Sequence, residues 1–373
     1  MNKGKNMKNI IKLTFVVLSS FALIGSANAG DLTVGGTAKA TYSIQSSDST
    51  TGANNAGKNI GIANELTFTA TGELDNGFTW KYQIEHDDTA AGTFVATDDS
   101  RLEITTPYGT VGLYNTEGSL STKYGSSQGA YAPASDYGLG GSIQYGGNID
   151  GFNNIQYHTP ADMLPYGTTF KVAVAPSATG AKSSSNSGGD ENTASKGQKV
   201  TQYQIKTAPI DGLGIGASYL ERSGENGIQG YEQGGAYVTY KYGNFGFGLG
   251  QHRVSNNVTS SVDGVAQATE MTTAAVLNTI KRYDNESISV SFAVNDALTL
   301  SAERETSEAY KRTLAAGTAA DTANNVEMEI QSIQAAYTMG GMTLSLAMKD
   351  CENCNYGLDV GDKETIAAVV MAF

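Results

Sequence analysis

The sequence lacks an apolar run long enough to cross a membrane as a helix. Its longest such run, residues 13–24, holds twelve residues, where roughly twenty are needed. Proline is scarce, with 6 residues among 373, and so is basic charge, with 24 Lys and Arg against 37 Asp and Glu. This acidic balance argues against nucleic acid as a partner. The 45 glycines and 20 tyrosines favour tight turns and aromatic-rich strands over a helical enzyme.

Motifs for catalysis and metal binding are also missing. The three histidines, His86, His158 and His252, do not follow a metal-ligand spacing, and no His-Glu-x-x-His run occurs. The pair Cys351 and Cys354 stands without the second pair that a zinc site needs. In an exported protein this pair predicts a local disulfide, with its effect confined to the last loop. We therefore expect no enzymatic activity, no metal and no cofactor.

The N-terminus has the three parts of a secretory signal peptide. Lysines precede the apolar run, and residues 27–29 (Ala-Asn-Ala) supply a small-x-small cleavage site. We expect residues 1–29 to be removed and residues 30–373 to form a single domain. An uncleaved N-terminal anchor is the alternative, although the apolar run is short for one. The lysines of the basic region are Lys3, Lys5, Lys8 and Lys12.

The rest of the chain repeats short stretches in which apolar and polar residues alternate. In residues 32–44, Val34 and Tyr42 fall on one face and Lys39 on the other, which is the period of a half-buried strand. Residues 76–77 (Asn-Gly) are typical of a tight hairpin turn. About sixteen strands are predicted, over residues 32–44, 62–74, 78–87, 101–106, 111–115, 154–158, 170–175, 201–207, 213–220, 236–241, 245–251, 288–294, 298–305, 326–338, 342–349 and 364–373.

Short turns alternate along the chain with long stretches rich in Ser, Thr, Asn, Gly and Asp. Short turns at one rim and long loops at the other are typical of outer-membrane barrels. Because lipid offers no partner for backbone groups, such strands must close on themselves. The predicted fold is all-β, a transmembrane antiparallel β-barrel with short periplasmic turns and long extracellular loops, wide enough for an aqueous channel. The long stretches are residues 45–59, 116–153, 176–198, 255–286, 307–325 and 350–363.

The alternation also predicts which charged residues face the interior of the barrel. The opposite register would turn each Lys or Arg toward lipid, at about 2 to 4 kcal/mol at the bilayer midplane, so the inward register is favoured. The residues expected to face inward are Lys39, Lys81, Glu85, Arg101, Glu103 and Lys171.

Several of these strands resemble those of general Gram-negative porins. The likeness rests on the order of residues 100–104 (SRLEI), 108–113 (YGTVGL) and 154–160 (NIQYHTP), and on the final Phe373. It implies a homotrimer in outer-membrane lipid, whose third loop, residues 116–153, folds into each lumen and narrows it. It also implies that the barrel-assembly machinery recognises the C-terminal strand. Many family members carry an Arg shortly before the third segment, whereas residues 146–151 contain no basic residue, which leaves the selectivity open.

The resemblance further implies a pore constriction at which basic wall residues face acids of the third loop. Charges there act in a narrow, poorly screened space and set the ion preference. We expect passive diffusion of small hydrophilic solutes and ions, with a modest preference for cations because acids are in excess. The residues expected at the constriction are Lys39, Lys81, Arg101 and Glu103 on the wall and Glu117 and Asp136 on the loop.

Two other functions stay open at the level of the sequence. A barrel with a closed lumen would serve as an adhesin or structural anchor, with residues 45–59 and 176–198 binding a partner. A secreted soluble β-sandwich would show the same alternation, but would keep its aromatic residues mainly in its core. Here aromatic residues lie near predicted strand ends, as they do at membrane interfaces. They are Tyr42, Trp80, Tyr82, Tyr108, Tyr219, Tyr240 and Phe373.

Overall fold

A computed structural model describes eight segments of the chain. They are residues 30–47, 57–87, 99–136, 143–176, 199–223, 231–255, 280–311 and 325–373. The predicted signal peptide lies outside the described residues, as do most of the loops predicted at 45–59 and 176–198. Within the described segments, helices long and apolar enough to cross a membrane are not found.

The described residues form sixteen antiparallel strands in a closed barrel, as the sequence predicts. Each strand pairs with its neighbours in the sequence, and β1 pairs with β16. In chain order the strands are β1 Leu32–Ser47, β2 Gly57–Glu73, β3 Thr79–Asp87, β4 Ser100–Thr106, β5 Gly109–Asn115, β6 Asn154–His158, β7 Thr169–Ala175, β8 Val200–Ile210, β9 Leu213–Arg222, β10 Tyr231–Tyr242, β11 Phe245–Ser255, β12 Ile280–Ala293, β13 Leu298–Lys311, β14 Val326–Met339, β15 Met342–Glu352 and β16 Gly361–Ala372.

The barrel closes where the last residue of the chain meets the first strand. The Gly36 amide donates to the Phe373 carbonyl over 3.0 Å, and the Phe373 amide donates to the Gly36 carbonyl over 3.1 Å. The ladder continues through pairs such as Thr41 with Ala368 and Gln45 with Glu364. Closure leaves no sheet edge, which a lipid environment would penalise because it cannot hydrogen-bond to free backbone groups.

Alternation along the strands separates a lipid-facing surface from a polar interior. On β1, Tyr42 and Ile44 face outward and are 41% and 46% exposed, whereas Ser43 between them is buried. Tyr82, Tyr219 and other predicted interface aromatics also lie on the outer surface. The apolar surface therefore faces outward, as a membrane barrel requires.

Several strands extend further toward the long loops than the sequence predicts. β12 begins at Ile280 and not at residue 288, and the last loop shrinks to residues 353–360. The added parts of β11 and β12 carry polar side chains on the outer surface, where Arg253 donates to Asp284 over 2.6 and 2.9 Å. The outer face is polar there, while Val254 and Tyr283 face inward, so the outward apolar residues expected of a membrane strand are missing although the backbone ladder continues. The predicted strand limits were wrong for this reason.

The turns at the opposite rim are short and use residues that tolerate a positive φ. The predicted Asn-Gly turn joins β2 to β3, with Gly77 at φ 79° and the Phe78 amide donating to the Asn76 side chain over 3.1 Å. Gly212 between β8 and β9 and Gly340 between β14 and β15 also have positive φ, at 76° and 61°. These tight turns fix the register of the strands that follow them.

The register of β10 predicts unequal effects for adjacent substitutions. Val238 is 42% exposed on the outer surface, opposite Ile215 and Leu249, whereas Thr239 lies opposite the inward-facing Gly248. We expect Val238→Arg to lower the free energy of unfolding by up to about 4 kcal/mol, depending on its depth in the bilayer. Thr239→Arg should have a much smaller effect because it reaches water. Denaturant unfolding in lipid vesicles measures both, and equal losses would contradict the assigned register.

Candidate functional site

The third loop runs inside the barrel, as predicted, and its described parts are residues 116–136 and 143–153. Its first limb lies against the inner surface of β9 to β12. The Thr122 and Ser218 hydroxyls are 2.8 Å apart, and the Thr122 hydroxyl also donates to the Gly235 carbonyl over 3.2 Å. Further along, the Ser126 and Ser287 hydroxyls are 2.6 Å apart. The loop therefore narrows the lumen from one side.

Two buried carboxylates of β13 hold the next part of the loop. Glu303 accepts hydrogen bonds from the Ser127 hydroxyl and the Ala134 amide, both over 3.0 Å. Glu305, which is 1% exposed, accepts from the Ser135 hydroxyl over 2.6 Å. Glu305 also accepts from the Tyr145 hydroxyl over 2.7 Å, on the far side of the undescribed residues 137–142. One strand thus fixes both limbs of the loop.

An amide side chain of β14 supports the tip of the first limb. Gln334 accepts from the Tyr131 amide over 2.7 Å and donates to the Ala132 carbonyl over 2.7 Å. The Ala130 amide donates to the Ser301 hydroxyl over 2.8 Å. Backbone groups of a buried loop need such partners, since they have no strand ladder of their own.

Three glycines on the inner face of β11 give the loop the space that it occupies. Gly246, Gly248 and Gly250 alternate with the outward-facing Phe247 and Leu249. A Cβ atom on Gly248 would lie 1.7 Å from the Ser126 carbonyl oxygen, so a side chain there is incompatible with the observed loop. The glycines of this strand therefore act through their small size.

Four of the residues predicted at the constriction meet at one place, but their charges pair directly. Arg101 contacts Glu117 of the loop over 2.9 Å, and Lys81 contacts Glu103 over 2.9 Å. Glu103 also accepts from the Tyr114 hydroxyl over 2.5 Å. Arg101 of the wall thus faces an acid of the third loop by direct contact, whereas Lys81 pairs with an acid of the neighbouring wall strand.

The other two predicted constriction residues belong elsewhere in the lumen. The Lys39 ammonium lies 4.8 Å from the centre of the Tyr131 ring, at the tip of the loop. Asp136 lies within electrostatic range of Tyr124 and Lys349, away from the Arg101 group. The six residues thus form separate groups, and their roles in permeation stay a prediction.

The two other charged residues predicted to face inward, Glu85 and Lys171, lie on β3 and β7. The side-chain oxygens of Glu65, Glu85 and Asp87 come within 4.8 Å of one another. Carboxylate oxygens are the ligands that hard divalent cations prefer, and these three are the group with such spacing among the described residues. Lys171 pairs in register with His158 of β6 and borders the cavity described next.

A cavity of about 470 Å³ lies between the wall and the start of the third loop. Its charged lining comprises the acids Asp99, Glu103, Glu117 and Asp150 and the bases Arg101 and Lys171. Burial raises the pKa of Glu117 above its ordinary value, although the Arg101 guanidinium opposes the shift. Burial likewise raises the pKa of Asp150, and Lys123 opposes it. The cavity therefore has more acidic than basic groups, of which two protonate more readily than exposed carboxyls.

The sequence analysis missed the residues that hold the loop. Glu303, Glu305 and Gln334 each sit at inward positions of β13 and β14, where the alternation does place them. Their partners lie about 170 to 200 residues away along the chain, so the spacing of neighbouring residues does not predict these contacts. The available signal was two acids on one inward face without a nearby base.

The glycines of β11 lead to a test of the loop position. Gly248→Ala should push the Ser126 segment away from the wall and change the single-channel conductance, because its Cβ would overlap a backbone oxygen. Gly151→Ala is the matched control, since a Cβ there meets no atom within 4 Å. Planar-bilayer recordings of both variants provide the measurement. An unchanged Gly248→Ala channel would contradict the close packing of this segment.

Comparison with known proteins identifies the family. A family model described as Gram-negative porin matches residues 14–353, whereas no curated individual protein matches the chain. The fold is similar to a loop-deletion mutant of OmpT, an outer membrane protein of Vibrio cholerae (TM-score 0.61, 13% identity, 92% of this chain and 100% of that one). It is also similar to Salmonella typhi OmpF in complex with daunomycin (0.60, 15%, 93% and 98%) and to an anion-selective porin from Comamonas acidovorans (0.61, 11%, 92% and 100%). The chain therefore belongs to the Gram-negative porin family and forms an outer-membrane channel for passive diffusion.

Proposed function

We propose that this channel passes small hydrophilic solutes and ions with a modest preference for cations. The observation that carries the proposal is the excess of acids around the cavity beside the third loop, four against two bases. Fixed charges in a narrow passage act with little screening, so even a small excess biases the ions that enter. Direct pairing of Arg101 with Glu117 and of Lys81 with Glu103 keeps the bias small.

We also propose that the protein is a homotrimer whose subunits meet at the β5–β6 wall. β5 has 7 residues and β6 has 5. The residues after β5 and those on both sides of β6 are described, so these strands do end where they are said to end. Strands of this length are too short to cross the hydrocarbon core, which takes about 9 to 11 residues. Their outer surface is nevertheless apolar, with Val111, Leu113 and Ile155 each about half exposed. Contact with other subunits would cover this part of the barrel wall, whose strands are shorter than the hydrocarbon core is thick.

The proposal extends to export and assembly. Residues 1–29 serve as a cleaved signal peptide and residues 30–373 as the barrel, which is surrounded by outer-membrane lipid. The C-terminal strand, ending at Phe373, is the segment presented to the barrel-assembly machinery. The backbone pairing of Phe373 with Gly36 supports this role, because the C-terminal strand is one of the two strands that close the barrel.

The proposal includes no enzymatic reaction. The sequence analysis counted motifs for catalysis as missing, but residues 125–129 (Gly-Ser-Ser-Gln-Gly) do match the Gly-x-Ser-x-Gly pattern of hydrolases. In those enzymes the serine sits on a turn between a strand and a helix, next to a general base. Here Ser127 lies in the third loop and donates to Glu303 over 3.0 Å. The serine thus serves to hold the loop.

The reversal potential under a KCl gradient tests both the channel and its selectivity. We expect stepwise conductance with a cation preference that declines as the pH falls. Because the pKa of Glu117 is raised, its charge is lost at a higher pH than that of an exposed glutamate, which leaves Arg101 unbalanced. Glu117→Gln should lower the cation preference at neutral pH and remove this part of the pH dependence. A folded barrel without conductance would contradict the channel, and a pH-independent reversal potential would contradict the role of Glu117.

Substitutions on the outer surface test the proposed subunit contact. Leu113→Arg should dissociate the oligomer, since it places a charge in an apolar contact. The matched control is Leu249→Arg on β11, which is exposed to a similar degree, 58% against 54%, but lies on an 11-residue strand. Native mass spectrometry in detergent gives the stoichiometry of each variant. Trimers that persist in Leu113→Arg would contradict this interface.

A further inference from the structure

The last loop of the barrel, residues 353–360, packs onto the third loop inside the lumen. Tyr356 is 7% exposed, and its ring centre lies 5.1 Å from that of Tyr283 on β12. The same buried cluster includes Ile143 and Tyr145 of the third loop. A loop that begins at the rim thus reaches the returning limb of the third loop.

A closed ring of hydrogen bonds joins the two loops to the wall. The side-chain amide of Asn285 donates to the backbone carbonyl of Gln144 over 2.9 Å, and the backbone N–H of Gln144 donates to the Tyr356 hydroxyl over 3.1 Å. The Ser307 hydroxyl donates to the Asn285 side-chain oxygen over 2.5 Å. The Ser307 and Tyr356 hydroxyls are 2.7 Å apart. Because Ser307 has only one hydroxyl proton, which it donates to Asn285, Tyr356 is the donor in this bond. The backbone N–H and C=O groups of Gln144 therefore both have hydrogen-bond partners within this ring.

Burial makes the ring sensitive to the loss of any member. Ser307 is 0% and Asn285 2% exposed, so bulk water cannot replace a missing partner. Burial also raises the pKa of Tyr356 to about 12, although its hydrogen bonds with Ser307 and Gln144 lower it. The tyrosine consequently keeps its proton, and with it the donated hydrogen bond, at every physiological pH.

A disulfide holds Tyr356 in place. Cys351, near the end of β15, is bonded to Cys354, and both are at most 1% exposed. The Cys354 amide donates to the Val360 carbonyl over 3.0 Å, which closes the loop. Residues with side chains rarely adopt a positive φ unless the surroundings restrain them. Four residues here do so, with φ between 52° and 60°: Asn353, Asn355, Tyr356 and Asp359.

We propose that Tyr356 is a positioning residue for the channel. Clamped by the Cys351–Cys354 disulfide, it fixes the returning limb of the third loop and thereby the width of the pore. The disulfide then acts beyond the last loop, to which the sequence analysis confined its effect. The inference rests on the channel function proposed above.

Removing a single hydroxyl tests this inference. Tyr356→Phe keeps the ring and its contact with Tyr283 but loses both hydrogen bonds. Each lost hydrogen bond should raise about fivefold the population of molecules in which the returning limb of the third loop has left its position against Tyr356. We expect a wider spread of conductance levels and a shift in the size of neutral polymers that the pore excludes. The matched control is Tyr310→Phe, whose hydroxyl bonds to Glu308 on the outer surface and which should behave like the unaltered protein.

A double-substitution cycle tests the link to the disulfide. Cys351→Ser with Cys354→Ser should resemble Tyr356→Phe, and adding it to Tyr356→Phe should change the channel little further, because both act through one contact. Additive effects, or a Tyr356→Phe channel with unaltered levels and exclusion size, would overturn the inference. Circular dichroism and the mobility of unheated samples verify that each variant folds. A failure of the unaltered protein to conduct would instead refute the channel function.

Discussion

The pairing of every backbone polar group is the constraint on which the rest of this structure depends. Lipid offers no hydrogen-bond partner, so the sixteen strands pair with one another and β1 closes onto β16. The third loop meets the same requirement inside the barrel, where it has no ladder of its own. Side chains of the wall supply its partners, among them Glu303, Glu305 and Gln334. A polar lumen is therefore needed to fold the loop as well as to admit water.

The need to seat the loop divides the lumen into two unlike halves. From β9 to β14 the wall is lined by glycines, hydroxyls and hydrogen-bonding acids that contact the loop, as at Gly248 and Ser287. The opposite wall, from β3 to β7, keeps its charged residues, including Arg101 and Lys171, beside the open cavity. The loop thus covers much of the wall from β9 to β14, whereas charged residues of β4 and β7 stay beside the cavity.

The sequence could predict the features that depend on local pattern. The strand number, the inward alternation of Lys81 and Glu103 and the turn at Gly77 all follow from spacing of two residues or from a required positive φ. The upper part of β12 was missed because Asp284 and Glu286 both lie on its outer face, where the alternation calls for apolar residues. The contacts of the third loop were missed for a different reason. The Ala134 amide and Glu303 are 169 residues apart, and a single sequence does not encode such a pairing in any local signal.

Selectivity is the property that the fold itself determines least. An anion-selective porin has a similar fold, at a TM-score of 0.61, so the fold alone does not make a channel cation-selective. The formal charge of the whole chain, −13, is also a poor guide, because acids on the outer surface, such as Glu329, pair with neighbouring arginines far from the solute path. What remains is the short list of charges around one cavity, several of which neutralise each other within 3 Å. A selectivity that depends on an excess of so few acids must be modest, and one or two substitutions in the cavity lining suffice to change its sign.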